Sequence, residues 1–143
     1  MTPLELSASW RRPEEDGDVI VTRSASGYAA TVDRLVEAID AKGLTVFARI
    51  DHAAAAREAG MELAAEEVVL FGSPRVGTPL MQTDPSVGVE LPLRILIWQN
   101  GDGAMLGHRD PRELAREYDL QPHHQTLERM AALLDELVDA AAA

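Results

Sequence analysis

Two short stretches constrain this fold more than anything else in the chain. Val68-Val69-Leu70-Phe71 and Ile95-Leu96-Ile97-Trp98 are apolar at every position. A strand sends alternate side chains to opposite faces, so strands of this kind need cover on both sides. One cover is a layer of helices. The other is either the short helices and loops of the same chain or a second subunit, and this is the residue-level reason to expect a homodimer. A chain of 143 residues fits one domain and one core.

The rest of the chain supplies the pieces. Residues 1–18 contain Pro13 and the run Glu14-Glu15-Asp16-Gly17 and read as an N-terminal arm, with Trp10 as its large apolar group. Val19-Ile20-Val21-Thr22 reads as a strand. Tyr28, Val32, Leu35, Val36 and Ile39 recur at helical spacing, with Ser26 as a candidate cap and Gly43 suited to a left-handed end. Leu44 to Ile50 alternates as a second strand. Strand, helix and strand in this order predict a βαβ unit with parallel first and second strands.

Asp51 caps a short alanine-rich helix that closes at Gly60. A strand over 67–71 stops at Gly72. The stretch 72–79 reads as a structured loop, with Thr78 capping a helix and Pro79 in its first turn. Leu93 to Gln99 and Ala104 to His108 form a hairpin about Asn100-Gly101-Asp102-Gly103. Asp110, Pro111 and Glu113 open another helix as a capping box. The last helix runs from about Pro122 on the stripe Leu127, Met130, Ala131, Leu134, Leu137 and Val138, and its closing alanines are expected to fray. The predicted fold class is α+β: one two-layer domain over residues 19–143, with a βαβ start, then antiparallel strands, and about five strands packed on helices.

Composition excludes several functions. With no cysteine there is no disulfide, thiol nucleophile, thiolate zinc site or Cys-ligated cluster. Thirteen basic against 24 acidic residues give a formal charge of −11, which argues against nucleic acid and anionic membranes as partners. No stretch is long and apolar enough to span a bilayer, and no leader pattern is present, so a cytoplasmic location is expected.

From Gly43 to Leu120 several uncommon residues fall in a specific order. They include Gly43-Leu44-x-Val46-Phe47, Ile50-Asp51-His52-Ala53-x-x-Ala56-x-x-Ala59-Gly60, Phe71-Gly72-x-Pro74, Gly77-Thr78-Pro79-Leu80-Met81 and Leu91-Pro92-Leu93. In these the chain resembles the prokaryotic family known as domain of unknown function 302. The resemblance covers most of residues 19–120. It implies a compact α+β domain with an antiparallel-rich sheet, often paired as a dimer, and no established reaction. The chain departs from it at His108, where the family tends to carry a tyrosine before the Asp-Pro step.

Two places carry candidate chemistry. Histidine is the side chain whose ordinary range lies near neutrality, so His52 suits a general acid or base, with Asp51 or His108 orienting it; the plain alternative is that Asp51 caps the helix and His52 bonds a neighbouring loop. Gly72, Ser73, Pro74, Arg75, Gly77 and Thr78 form the second candidate. Its glycines, helix start and Arg75 suit a small molecule or anion, with Met81 and His108 nearby; the alternative is an ordinary turn before a capped helix. It lacks the phosphate-loop lysine and the dinucleotide glycine pattern, and Ser73 lacks a nucleophile elbow.

No chelating histidine spacing occurs, and His123-His124 point about 100° apart on a helix. No metal site is assigned and the residues name no cofactor. Met81 and Met105 are core filler or pocket lining, with a soft metal such as copper as the alternative. Arg49 is expected on the face of Phe47, opposite Val46, Ala48 and Ile50, pairing with an acid at a dimer interface or holding an anionic ligand. The leading expectation is a small-molecule-binding or regulatory module. The alternatives are an enzyme built on His52 and a structural dimer that binds proteins.

Overall fold

The computed structural model describes residues 19–143, and the arm expected over 1–18 lies outside the described residues. Five strands form one open sheet: β1 (Ile20–Arg23), β2 (Thr45–Asp51), β3 (Glu66–Gly72), β4 (Leu93–Asn100) and β5 (Gly103–His108). Their spatial order is β1-β5-β4-β3-β2, and every neighbouring pair is antiparallel. The α-helices are α1 (Tyr28–Ala41), α2 (His52–Glu58), α3 (Pro74–Thr83), α4 (Leu114–Glu117) and α5 (His124–Ala142), with 3-10 turns at 85–89, 111–113 and 121–123. The fold is α+β, with two long helices on one side of the sheet.

The first two strands run parallel, as expected, but they are not neighbours in the sheet. β1 and β2 occupy opposite edges, with β5, β4 and β3 between them. α1 carries the chain across the sheet, packing on β2, β4 and β5 and against α5. Later strands fill the gap that local order leaves open.

The helix stripes do what their spacing predicts. Val32, Leu35 and Ile39 of α1 and Leu134, Leu137 and Val138 of α5 are buried against Val69, Phe71, Ile95, Ile97 and Leu106 of the sheet. Each such side chain contributes about 1.5–3 kcal/mol by leaving water. A second, smaller core gathers Leu80, Val87, Leu114, Leu120, Leu127 and Met130 beyond one end of the sheet.

Helix ends differ from expectation in places. Gly43 and Gly60 do adopt positive φ, at 71° and 78°. Ser26 does not cap α1. Gly27 stands at that position, and the Ser26 hydroxyl instead donates to the Ala143 carbonyl at 3.0 Å. Asp110 caps the next turn by accepting from the Arg112 N–H, but Glu113 turns outward to Arg116 and leaves the box open. The closing alanines do not fray. α5 extends to Ala142, Ala141 is fully buried, and the Ala25 N–H donates to the Ala142 carbonyl at 2.9 Å.

The two faces of the sheet differ. Val69, Phe71, Ile95 and Ile97 face the helices and are completely buried. Register puts Ala48, Ile50, Val68, Leu70 and Leu96 on the other face. Val68, Leu70 and Leu96 are half-buried there, and Ile50 is 44 % exposed. Among the described residues no helix is long and apolar enough to cross a membrane.

Candidate functional site

A cleft of about 350 Å³ opens at the end of the sheet where β2 and β4 begin and β3 ends. Its position follows from the two cores. The main core fills the space under α1 and α5, the small core fills the space under α3 and α4, and the sheet end between them is left unfilled. Leu44 and Phe47 come from the start of β2, and Leu70 and Gly72 from the end of β3. The stretch Leu91-Pro92-Leu93 leads into β4, while Met130 and Leu133 come from α5. α3 supplies Pro74, Val76, Gly77, Thr78 and Met81, with Ser73 just before it.

α3 begins earlier than the sequence indicates. Ser73 is its N-cap and Pro74 its first residue, so Pro79 lies inside the helix and Thr78 caps nothing. Gly72 and Gly77 have no positive φ; among the described residues only Gly43, Gly60 and Gly101 do. Gly77 serves closeness instead. A β-carbon there would lie 3.5 Å from Leu91 and 4.0 Å from Met81, so the bare backbone forms part of the cleft wall. Gly72 is close to Phe47 and Pro92 in the same way, at 3.8 and 3.9 Å.

The cleft is apolar. Ser73 and Thr78 carry its polar side chains, and no titratable group lines it. Arg75 is exposed and does not line it. The N–H groups that a helix start offers an anion are also largely absent. Pro74 has none, and those of Val76 and Gly77 both donate to the Ser73 carbonyl at 3.0 Å. The stretch 72–79 therefore presents fewer N–H groups to an anion than a loop before a capped helix would.

The histidines do not converge. Asp51 caps α2, its carboxylate accepting the Ala54 N–H at 2.8 Å, and both Asp51 and His52 are exposed and outside the cleft. His108 is buried at the far side, and its Nδ1–H donates to the Arg109 carbonyl at 2.9 Å. β5 and β2 stand three strand spacings apart, roughly 14 Å. The acid–base arrangement of His52 with His108 thus has no site, and Asp51 is committed to its cap. Among the described residues no three His, Asp or Glu side chains cluster as a metal ion requires. Met105 lies under the opposite sheet face beside its cross-strand partner Trp98, away from Met81.

Arg49 also differs from expectation. A register shift between Val46 and Ala48 turns it onto the helix-facing side with Val46. There it forks onto Glu67, with one N–H···O contact at 3.2 Å. Its partner is thus within its own chain. Burial and then Glu67 push the nearby Tyr28 phenol up to about 12.

Comparison with known proteins places this geometry. The sequence profile described as "Domain of unknown function DUF302" matches residues 20–137. The chain belongs to the DUF302 family. A solved structure described as an uncharacterized conserved DUF302 protein from Bacillus stearothermophilus shares the fold, with a TM-score of 0.77. It is 16 % identical, and the match covers 86 % of this chain and 97 % of that one. Among curated proteins, "Fluoride-specific ion channel FluC 1" of Brucella suis is 38 % identical over 106 residues. "Fluoride-specific ion channel FluC 2" of Brucella melitensis is equally similar. Each match covers 73 % of this chain but only 42 % and 39 % of the relative, so the chain spans about two fifths of those proteins.

The DUF302 motifs explain part of the cleft. Gly72, Pro74, Gly77, Thr78 and Met81 line it, as does the Leu91-Pro92-Leu93 stretch. Leu44, Phe47, Met130 and Leu133 are not among the site residues that the sequence suggests. Leu133 does carry a signal. It is an apolar residue beside the stripe of α5, and it both packs on the edge of the main core and lines the cleft.

Proposed function

We propose that this protein is a small-molecule-binding module whose site is the cleft beneath α3. The observation that carries this reading is an open, apolar cavity of about 350 Å³ left between two otherwise filled cores. Sites of this size, lined by apolar side chains with a few polar groups at one edge, are the usual form of a ligand pocket. An interior that packs densely elsewhere leaves such a space at a cost in lost contacts, and a ligand restores them.

A regulatory role fits the curated relatives. They are named as ion channels, and the region they share with this chain is a minor part of their length. A channel needs spanning elements, and no helix among the described residues here is long and apolar enough to cross a membrane. This supports reading the shared region as an appended sensing module and not as the ion path. Amide NMR with a library of small fragments tests the binding reading. Shift changes are expected to gather at Gly72, Gly77, Thr78 and Leu93, and scattered or absent changes would remove it.

A second reading concerns assembly. The sheet face opposite the long helices presents Ile50, Val68, Leu70 and Leu96 to solvent or half-covers them. A second copy of the chain, packed face to face, is the partner we infer for it.

A further inference from the structure

We propose that the natural ligand is an uncharged, largely aromatic or cyclic hydrocarbon molecule; this rests on the reading of the cleft as a ligand site and specifies its chemistry. Three observations support it independently. First, no Asp, Glu, Lys, Arg or His lines the cleft. A charged group entering it would lose its hydration and meet no countercharge. Second, the start of α3 is a poor anion cradle, because Pro74 lacks an N–H and that of Val76 is taken by the Ser73 carbonyl. Third, the walls combine the Phe47 ring with the thioethers of Met81 and Met130. Soft sulfur atoms and ring edges make favourable contact with aromatic surfaces. Half-buried Ser73 and exposed Thr78 stand at the rim and serve one hydroxyl or carbonyl of the ligand.

Two fluorescent probes with the same ring skeleton test this: neutral phenylnaphthylamine and its sulfonated counterpart, anilinonaphthalenesulfonate. Titrations are run at moderate salt, where long-range repulsion from a protein of charge −11 is screened. The neutral probe is expected to saturate the wild type. The sulfonate is expected to bind roughly 30-fold more weakly, about 2 kcal/mol. Gly77→Leu fills the cleft and removes the neutral probe's signal. The control Ala55→Leu, at an exposed position of α2 outside the cleft, retains binding.

The outcomes separate the two readings. A sulfonate that binds as tightly as the neutral probe, and is lost in Gly77→Leu, keeps the site but overturns the ligand class. Failure of both probes to bind overturns the site as well. If Gly77→Leu does not fold, nuclear Overhauser contacts from the neutral probe to the methyls of Met81 and Met130 in the wild type decide the matter. Their presence supports the proposal, and contacts elsewhere refute it.

Discussion

Glu67 is 7 % exposed on the helix-facing side of the sheet, and Arg49 is the cation that holds it. The pair is asymmetric, because the Arg49 side chain is 46 % exposed. An exposed pair contributes less than about 1 kcal/mol, whereas breaking a buried one costs about 3–5 kcal/mol. Arg49→Met is therefore expected to cost roughly 1–2 kcal/mol, since it strands a buried carboxylate whose partner was already half in water. Arg49→Met with Glu67→Gln is expected to recover most of that loss in chemical denaturation, because no charge is left unpaired. A double variant no more stable than the single one would show that packing of the Arg49 stem carries the effect. Tyr28 lies in the same corner. Its folded phenol titrates at about 12 against an ordinary 10.0, so the folded state holds a proton that the unfolded state gives up first. Stability is expected to fall between about pH 10 and 12 on this account. Phenolate absorbance, read alongside unfolding in Tyr28→Phe, checks it. Legibility at this scale is uneven. Asp51 is visible as a cap from its place before an alanine-rich helix, and it is one. Strict alternation along the strand puts Arg49 on the wrong face.

At the scale of elements that error has one cause. The register shift between Val46 and Ala48 inserts a residue, and one extra residue exchanges the faces of everything after it. No residue in Thr45-Val46-Phe47-Ala48 announces a bulge, so alternation alone misreads the second half of β2. The start of α3 is hidden for a related reason. Both Pro74 and Pro79 suit a first turn, and the glycines beside them favour a loop and hence the later start. The structure takes the earlier, and Gly77 becomes a helical residue. The hairpin is legible. Asn100 pairs with Gly103, and only Gly101 of the two turn residues has positive φ, at 62°, the pattern of a type II′ turn. Two glycine substitutions separate these settings. Gly77→Ala is expected to stabilise by about 0.5–1 kcal/mol, since it gains helix propensity without a clash. Gly101→Ala is expected to destabilise by about 1 kcal/mol, because a side chain there is strained in the left-handed region although the space is open. Opposite shifts in the denaturation midpoint would support both assignments, and a destabilised Gly77→Ala would contradict the helical one.

For the whole molecule, apolarity in both phases of β3 and β4 is the clearest signal in the sequence, and it forces a question about the uncovered face. The charges of the molecule bear on the answer. α1 carries Asp33, Glu37 and Asp40, and α5 carries Glu128, Asp135, Glu136 and Asp139. Both helices lie on the opposite side of the sheet. By register that apolar face carries one acid, Glu66, and two bases, Arg23 and Arg94. A chain of formal charge −11 repels its own copy least across that face. The edge of β2 is a poorer route, since the irregularity at Val46–Ala48 breaks its ladder. A two-fold pairing of faces is self-complementary and closes on itself. Sedimentation is expected to give twice the 15.5 kDa chain mass. Ile50→Glu places a desolvated, unpaired charge in the proposed contact while sitting at a position already 44 % exposed in the single chain. It is expected to yield the 15.5 kDa monomer with an unchanged circular dichroism spectrum. A wild type that sediments as a monomer would dismiss the pairing altogether. A dimer that survives Ile50→Glu would move it to another surface. The apolar second phase of β3 and β4 would then need its cover from within the chain.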